Sequence, residues 1–329
     1  MGPRREWPEP AALAAGIGRR DRSSVAAALN LLDDRRPEAR RRASELCSLL
    51  VHGDITAHHM VGLTGPPGSG KSSLSAALLR TWRVSGRTVG VLAVDPSSHR
   101  TGGALLGDRI RMLQASHDDG VFIRSLASRG ELGGLSAEVW PMSIVMLAAF
   151  DVVLVETVGI GQSEIDVSQL ADSTCYVVQP ASGDTIQFLK SGIMEVPHVF
   201  AVNKADLGAV AERTTRELKS AIPRMPDGDW ALPVVLVSAA TGRGIQELAA
   251  HFDAHHAFLS AQGTLAAQRR VHQAMWIMKR LAEEFGSFGI ERLGGTRSLT
   301  EQLTRTGASP FALHEELRQL LISAYSKPV

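Results

Sequence analysis

The residues best placed to do chemistry begin with the stretch GPPGSGKS at positions 65–72, which fits G-x-x-x-x-G-K-S/T. A glycine-rich turn of this kind lets backbone N–H groups close around phosphate oxygens. A helix that starts there adds the positive end of its dipole. Lys71 would bring a mobile positive charge to the β- and γ-phosphates, and Ser72 an oxygen for Mg²⁺. Gly65, Pro66, Pro67, Gly68, Ser69, Gly70, Lys71, Ser72 and Ser73 together form the candidate phosphate site. The motif is informative only between a strand and a helix. Here the apolar run 60–63 precedes it and SLSAALLRTW follows its last residues.

A second group could read a base. NKAD at 203–206 follows the apolar run 199–202 and fits N-K-x-D. A carboxylate at Asp206 can accept hydrogen bonds from guanine N1–H and the 2-amino group. Adenine has neither donor and would leave that carboxylate desolvated and unpaired, a large penalty. Asn203 can contact the other purine edge, and the stem of Lys204 can cover the ring face. VSAATG at 237–242 suits a loop whose backbone N–H groups, at Ser238, Ala239 and Ala240, meet guanine O6. The expected ligands are GTP and GDP with Mg²⁺.

Three carboxylates complete the candidate set. Asp95 ends the apolar run 89–94, Asp108 lies in the glycine-containing stretch beyond it, and Glu156 ends the run 152–155. With Lys71 they form the expected catalytic group, and with Ser72 the expected metal environment. Asp108 also reads as a helix N-cap before RIRML. In VETVGIGQSE the strand-end acid is Glu where many nucleotide hydrolases have Asp. Ile160 occupies the position where a Gln often orients the attacking water, and Gln162 is two residues further on.

These groups need a scaffold that brings strand ends together. Strand candidates are 60–63, 89–94, 121–123, 152–155, 174–178, 199–202 and 234–237. Several are continuous Val-rich runs, as expected of strands buried on both faces. Their alternation with helical stretches predicts an α/β P-loop fold with a doubly wound, mainly parallel sheet, whose ligands sit at the carboxyl ends of strands. Residues 1–57 read as a helical extension, with Ser23-Ser24 as a cap and Pro37 opening a helix to about Val51. The expected GTPase domain covers 58–260, and 261–329 reads as a helical dimerisation arm. Val271, Ala274, Met278, Leu281 and Phe285 form a short heptad-like seam in that arm. Glycines at 286, 289, 294 and 295 should break it before a final helix around 310–323.

Bulk properties narrow the class. The 329 residues carry 35 Lys plus Arg against 34 Asp plus Glu, so no global field favours nucleic acid or an anionic membrane. Two distant cysteines, Cys47 and Cys175, fit a reducing cytosol. No signal peptide or membrane span is read, and a cytoplasmic location is expected.

The stretches GPPGSGKSS, VAVDPSS, TGGALLGDRIRM, ASRGELGGLS, ETVGIGQSE and NKAD resemble the MeaB/ArgK group of P-loop GTPases, which includes the methylmalonic aciduria type A protein. The resemblance spans about residues 20–323. It implies that Glu156 is the family's design, and that the protein is a homodimeric GTPase chaperone for an adenosylcobalamin-dependent acyl-CoA mutase. By the same resemblance, residues 181–192 (ASGDTIQFLKSG) are a switch that senses the mutase. EVPHVF and SSHR depart from the family pattern, which leaves the choice of mutase open. Other readings are a nickel-delivery GTPase using His251, His255 and His256, for which a surface helix end is the simpler account, a transport-associated kinase, and a nucleotide-gated scaffold.

Overall fold

The computed structural model describes residues 7–51, 55–95, 118–127, 135–157, 163–180, 197–223, 225–226, 228–305 and 308–325. It divides into two compact units. One comprises His58–Ser136 and Phe150–Leu265; the other comprises Met1–Ala57, Ala137–Ala149 and Ala266–Val329.

The first unit holds the sheet. Its strands are β1 (His59–Thr64), β2 (Val89–Asp95), β3 (Val121–Ala127), β4 (Val152–Thr157), β5 (Ser173–Val178), β6 (Val199–Val202) and β7 (Val234–Leu236). All seven coincide with the runs picked out by their apolar residues. Every described pairing is parallel, in the order β3-β2-β4-β1-β5-β6-β7. β1, β4, β5 and β6 are buried along their whole length. That is why they read as unbroken Val-rich runs rather than as alternating ones.

The helices of this unit are α4 (Lys71–Val84), α6 (Ser163–Ser168), α7 (Ala209–Ala221) and α8 (Ile245–Ala261), numbered in chain order with those of the other unit. Leu74, Leu78 and Trp82 of α4 and Leu248 and Phe252 of α8 share one core with Val61, Leu63, Val91, Leu154, Val177 and Val199 of the sheet. Tyr176, Phe200 and Val202 pack with Leu218 of α7 in a second cluster. Chain winding leaves β1 towards β2 and leaves β5 towards β6, so it reverses beside β1. Open α/β sheets bind ligands at such a point.

The second unit is helical: α1 (Pro10–Gly18), α2 (Arg22–Asp33), α3 (Pro37–Val51), α5 (Val139–Ala149), α9 (Leu265–Arg292), α10 (Gly295–Arg305) and α11 (Pro310–Tyr325). Pro37 opens α3 as expected. The cap of α2 differs from expectation. Asp21, not the Ser pair, is the N-cap and accepts from Ser24 N at 2.9 Å, while Ser23 and Ser24 lie inside the helix and donate their hydroxyls to the same carboxylate. A carboxylate is the stronger acceptor at a helix N-terminus. These donors, the Ser24 hydroxyl foremost, hold Asp21 at about 2.

An aromatic cluster centres this unit. Trp276 stacks on Trp140 with centroids 4.8 Å apart, lies 4.8 Å from Phe311, and donates from Nε1 to Ala137 O at 2.8 Å. The heptad-like seam on α9 is partly consumed here, since Ala274 and Leu281 are buried within the single chain. Gly286, at φ 68°, interrupts α9. Of the later glycines, Gly294, at φ 98°, lies in the turn between α9 and α10. Gly289 lies within α9, and Gly295 begins α10, a helix the sequence reading did not anticipate. Burial pushes the thiols of Cys47 and Cys175 up, and both are free. Among the described residues, no helix is long and apolar enough to cross a membrane.

Candidate nucleotide site

The carboxyl ends of β1, β4, β5 and β6 lie along one edge of the sheet. Register fixes this: Leu63 pairs with both Glu156 and Cys175, Ala93 with Glu156, and Val178 with Val202. The phosphate loop leaves β1 at this edge and runs into α4. Two of its glycines are required sterically. Gly65 has φ 137°, and a Cβ there would sit 2.4 Å from Val177 O. Gly70, the left-handed residue before α4 at φ 89°, would put a Cβ 2.5 Å from Asn203 Nδ2. An L side chain is disfavoured at such φ values, and here there is no room for one. No side chain caps α4. The N–H groups of a first helical turn lack intrahelical acceptors, and they are suited to an anion.

Lys71 is buried, at 6% exposure, and its ammonium donates to Gly65 O at 2.7 Å and Pro66 O at 3.1 Å. The cation is thus drawn back over the loop that would cradle phosphate. Ser72 Oγ donates to Glu156 Oε1 at 2.5 Å. Glu156 is 7% exposed. Its second oxygen accepts from Ser75 Oγ at 2.7 Å. Ser75 is absent from the sequence reading. Its signal was its place three residues after Ser72, which puts both hydroxyls on one face of α4.

The NKAD loop packs directly on the phosphate loop. Asn203 Nδ2 donates to Ser69 O at 2.9 Å, and Lys204 Nζ donates to Gly68 O at 2.8 Å. Asn203 Oδ1 accepts from Ala239 N at 3.2 Å, tying the loop at 237–242 to NKAD. Lys204 adopts φ 62°, a left-handed backbone rare outside glycine. Ser238 Oγ donates to Asp206 Oδ1 at 2.6 Å, and that hydroxyl, followed by backbone N–H donation, lowers the Asp206 pKa. Asp206 is therefore an exposed, ionised acceptor with a fixed direction.

Of the sequence-predicted residues, the structure brings together residues 65–72, Glu156, Asn203, Lys204, Asp206, Ser238 and Ala239 through these bonds and strand ends. Asp95 is the last residue of β2, where Val94 pairs with Thr157, and its side chain lies outside the described set. Asp108, Ile160, Gln162 and residues 181–192 also lie outside the described residues. The histidines of α8 are not a surface helix end throughout. His255 is buried, and Ser173 Oγ lies 2.7 Å from both His255 Nδ1 and His59 Nε2. Desolvation, helped by His198 stacked 4.2 Å away, pushes His255 down to about 3. It is a neutral interior imidazole. Among the described residues, no group of three His, Cys, Asp or Glu side chains is arranged to hold a metal ion.

Residues 25–288 match the family described as methylmalonyl Co-A mutase-associated GTPase MeaB. The chain belongs to the MeaB family. Relatives agree: a Pyrococcus horikoshii protein is 43% identical over 256 residues, covering 76% of this chain and 78% of its own. Escherichia coli GTPase ArgK is 34% identical over 270 residues, covering 80% and 81%. The mouse mitochondrial methylmalonic aciduria type A homolog is 35% identical over 252 residues, covering 74% of this chain and 59% of that protein. A crystal structure of a LAO/AO transport system kinase superposes with a TM-score of 0.67 at 25% identity, covering 94% of this chain and 97% of that one. The MeaB-family chain is a P-loop GTPase that hydrolyses GTP.

Proposed function

We propose that this GTPase gates cofactor loading of an adenosylcobalamin-dependent acyl-CoA mutase and protects that enzyme, with methylmalonyl-CoA mutase as the first candidate. The observation that carries the reading is the family match over residues 25–288, whose description names that association. In this reading residues 58–260 are the GTPase domain, 1–57 a helical extension and 261–329 the arm that pairs two copies. The free, buried cysteines suit a reducing cytoplasm.

Each site residue then has a role. The loop 65–73 cradles the phosphates, with Lys71 exchanging its carbonyl partners for β- and γ-oxygens. Asn203, Lys204 and Asp206 hold guanine, and the backbone of Ser238, Ala239 and Ala240 faces O6. The hydroxyl and carboxylate of Ser72 and Glu156 are hard oxygen donors, the type Mg²⁺ takes. Asp95 and Asp108 are assigned to the same metal and switch environment by their sequence positions. Bound Mg²⁺ would neutralise charge developing on the phosphates. Ser72 can donate its proton to Glu156 and turn a lone pair towards that ion, and Glu156 keeps the hydroxyl in this orientation.

Ile160 cannot accept a hydrogen bond from an attacking water. Hydrolysis by the isolated chain should therefore be slow, and mutase docking through residues 181–192 should speed it. Contacts supplied in trans give orders of magnitude in other P-loop GTPases, about 10³ to 10⁵ at most. Single-turnover hydrolysis with and without methylmalonyl-CoA mutase tests this, for wild type and Asp184→Ala. A bound mutase that leaves the wild-type rate unchanged would sink the coupling. Equal stimulation of both proteins would sink only the switch assignment.

The proposed arm also carries exposed aromatic surface. Phe288 is 53% exposed and Tyr325 50%, with ring centroids 6.2 Å apart. Burying such side chains between copies contributes about 1.5–3 kcal/mol each. Phe288→Glu should shift a dimer to monomer in sedimentation without unfolding the chain, because the ring is not part of the buried core. A wild type that stays monomeric at micromolar concentration would remove the dimer.

A further inference from the structure

Ser75 is a hydroxyl in an apolar place. Its neighbours on α4, Leu74, Ala76, Ala77 and Leu78, are buried and apolar, and Ser75 itself is fully buried. A buried hydroxyl is costly unless it is hydrogen-bonded. Helical serines commonly turn back to the carbonyl four residues earlier, but this one donates to Glu156 Oε2 at 2.7 Å.

The bond has a consequence for Glu156. A glutamate at a strand end has one more rotatable bond than an aspartate, and its terminal torsion is broad and roughly two-fold. A single bond from Ser72 to Oε1 would leave the carboxylate plane free to turn about that contact. A second bond, from the same helix to the other oxygen, fixes the plane. Ser72 and Ser75 are three residues apart on one rigid element, so they act as a two-point clamp.

We propose that Ser75 is a positioning residue of this GTPase: it holds Glu156 so that the carboxylate, and through it Ser72 Oγ, is oriented for a magnesium–nucleotide complex. The proposal rests on the reading of Ser72 and Glu156 as the magnesium side of the site. Groups that orient metal-side carboxylates typically change metal affinity, because a misdirected ligand must be reordered each time the ion binds.

The test uses the full chain and a fluorescent GDP analogue. Its affinity in EDTA reports the loop and base contacts, and the Mg²⁺ concentration that half-restores tight binding reports the clamp. Ser75→Ala should leave the EDTA affinity unchanged and raise the Mg²⁺ half-saturation about tenfold. In a Glu156→Ala background the same substitution should add nothing, since Ser75 acts only through that carboxylate. A purely structural role would lower the melting temperature while leaving the Mg²⁺ dependence at its wild-type value, and that result overturns the proposal. So does an equal loss in the Glu156→Ala background. Should the alanine variant fail to fold, Ser75→Cys keeps the volume with a weaker donor and is judged by the same Mg²⁺ shift. A wild type whose nucleotide affinity ignores Mg²⁺ would remove the metal reading itself, and this proposal with it.

Discussion

Lys71→Ala should lower single-turnover GTP hydrolysis on the order of a hundredfold or more, in line with the loss of one preorganised charge-stabilising group. The Lys71 ammonium is held at 6% exposure by the carbonyls of Gly65 and Pro66. Those bonds keep a full positive charge at the mouth of the loop before any nucleotide arrives. Charge that builds up on the β–γ bridge and the γ-oxygens would meet an ammonium that has only to exchange those two carbonyls for phosphate oxygens. Arginine should not rescue. Its planar fork is bulkier than an ammonium and cannot reproduce two bonds to adjacent loop carbonyls from a single point. The measurement is hydrolysis of labelled GTP by excess protein, with GDP affinity followed in parallel. A rate within a few-fold of wild type would remove Lys71 from the catalytic group.

How much of this site could be read from the sequence depends on how local each determinant is. The strands were legible because burial of β1, β4, β5 and β6 on both faces writes itself as runs such as VVLV at 152–155. The phosphate loop was legible because Gly65 and Gly70 answer to steric limits that only glycine meets. Contacts between distant segments were not legible. The bond from Ser75 to Glu156 joins residues 81 apart, and apart from its spacing from Ser72 that serine reads as a neutral helix residue. The burial of His255 was hidden for the same reason, since its partners Ser173 and His198 come from two other segments. The cap of α2 was misread locally: DRSS offers three oxygen acceptors in four residues, and the charged one wins. The glycines after residue 285 were expected to break the pattern, and Gly286 interrupts α9 while Gly294 lies in the turn after it, yet helical structure resumes after each.

Asp206→Asn should exchange the preferred base, weakening GTP and strengthening xanthosine triphosphate. The wild-type carboxylate has one oxygen fixed by Ser238 Oγ at 2.6 Å, and its pKa is lowered chiefly by that hydroxyl. A depressed carboxylate pKa means that the charged acceptor persists as pH falls from neutral and is lost only on protonation below the ordinary carboxylate range. Guanine would present N1–H and the 2-amino group to it. In the variant, Ser238 can still donate to the amide oxygen, which turns the amide N–H₂ towards the base. That group faces the guanine 2-amino donor head-on but can donate to the C2 oxygen of xanthine, while the amide oxygen keeps N1–H. Losing a charge-assisted bond and opposing two donors weakens binding, and a GTP affinity lower by roughly one to two orders of magnitude is expected. Competition of each triphosphate with a fluorescent GDP analogue measures both halves of the exchange. Adding Ser238→Ala to Asp206→Asn supplies a control: with the hydroxyl gone, the amide can flip, and the xanthine preference of the double variant should weaken. If the single variant binds GTP as tightly as wild type, Asp206 does not read the base.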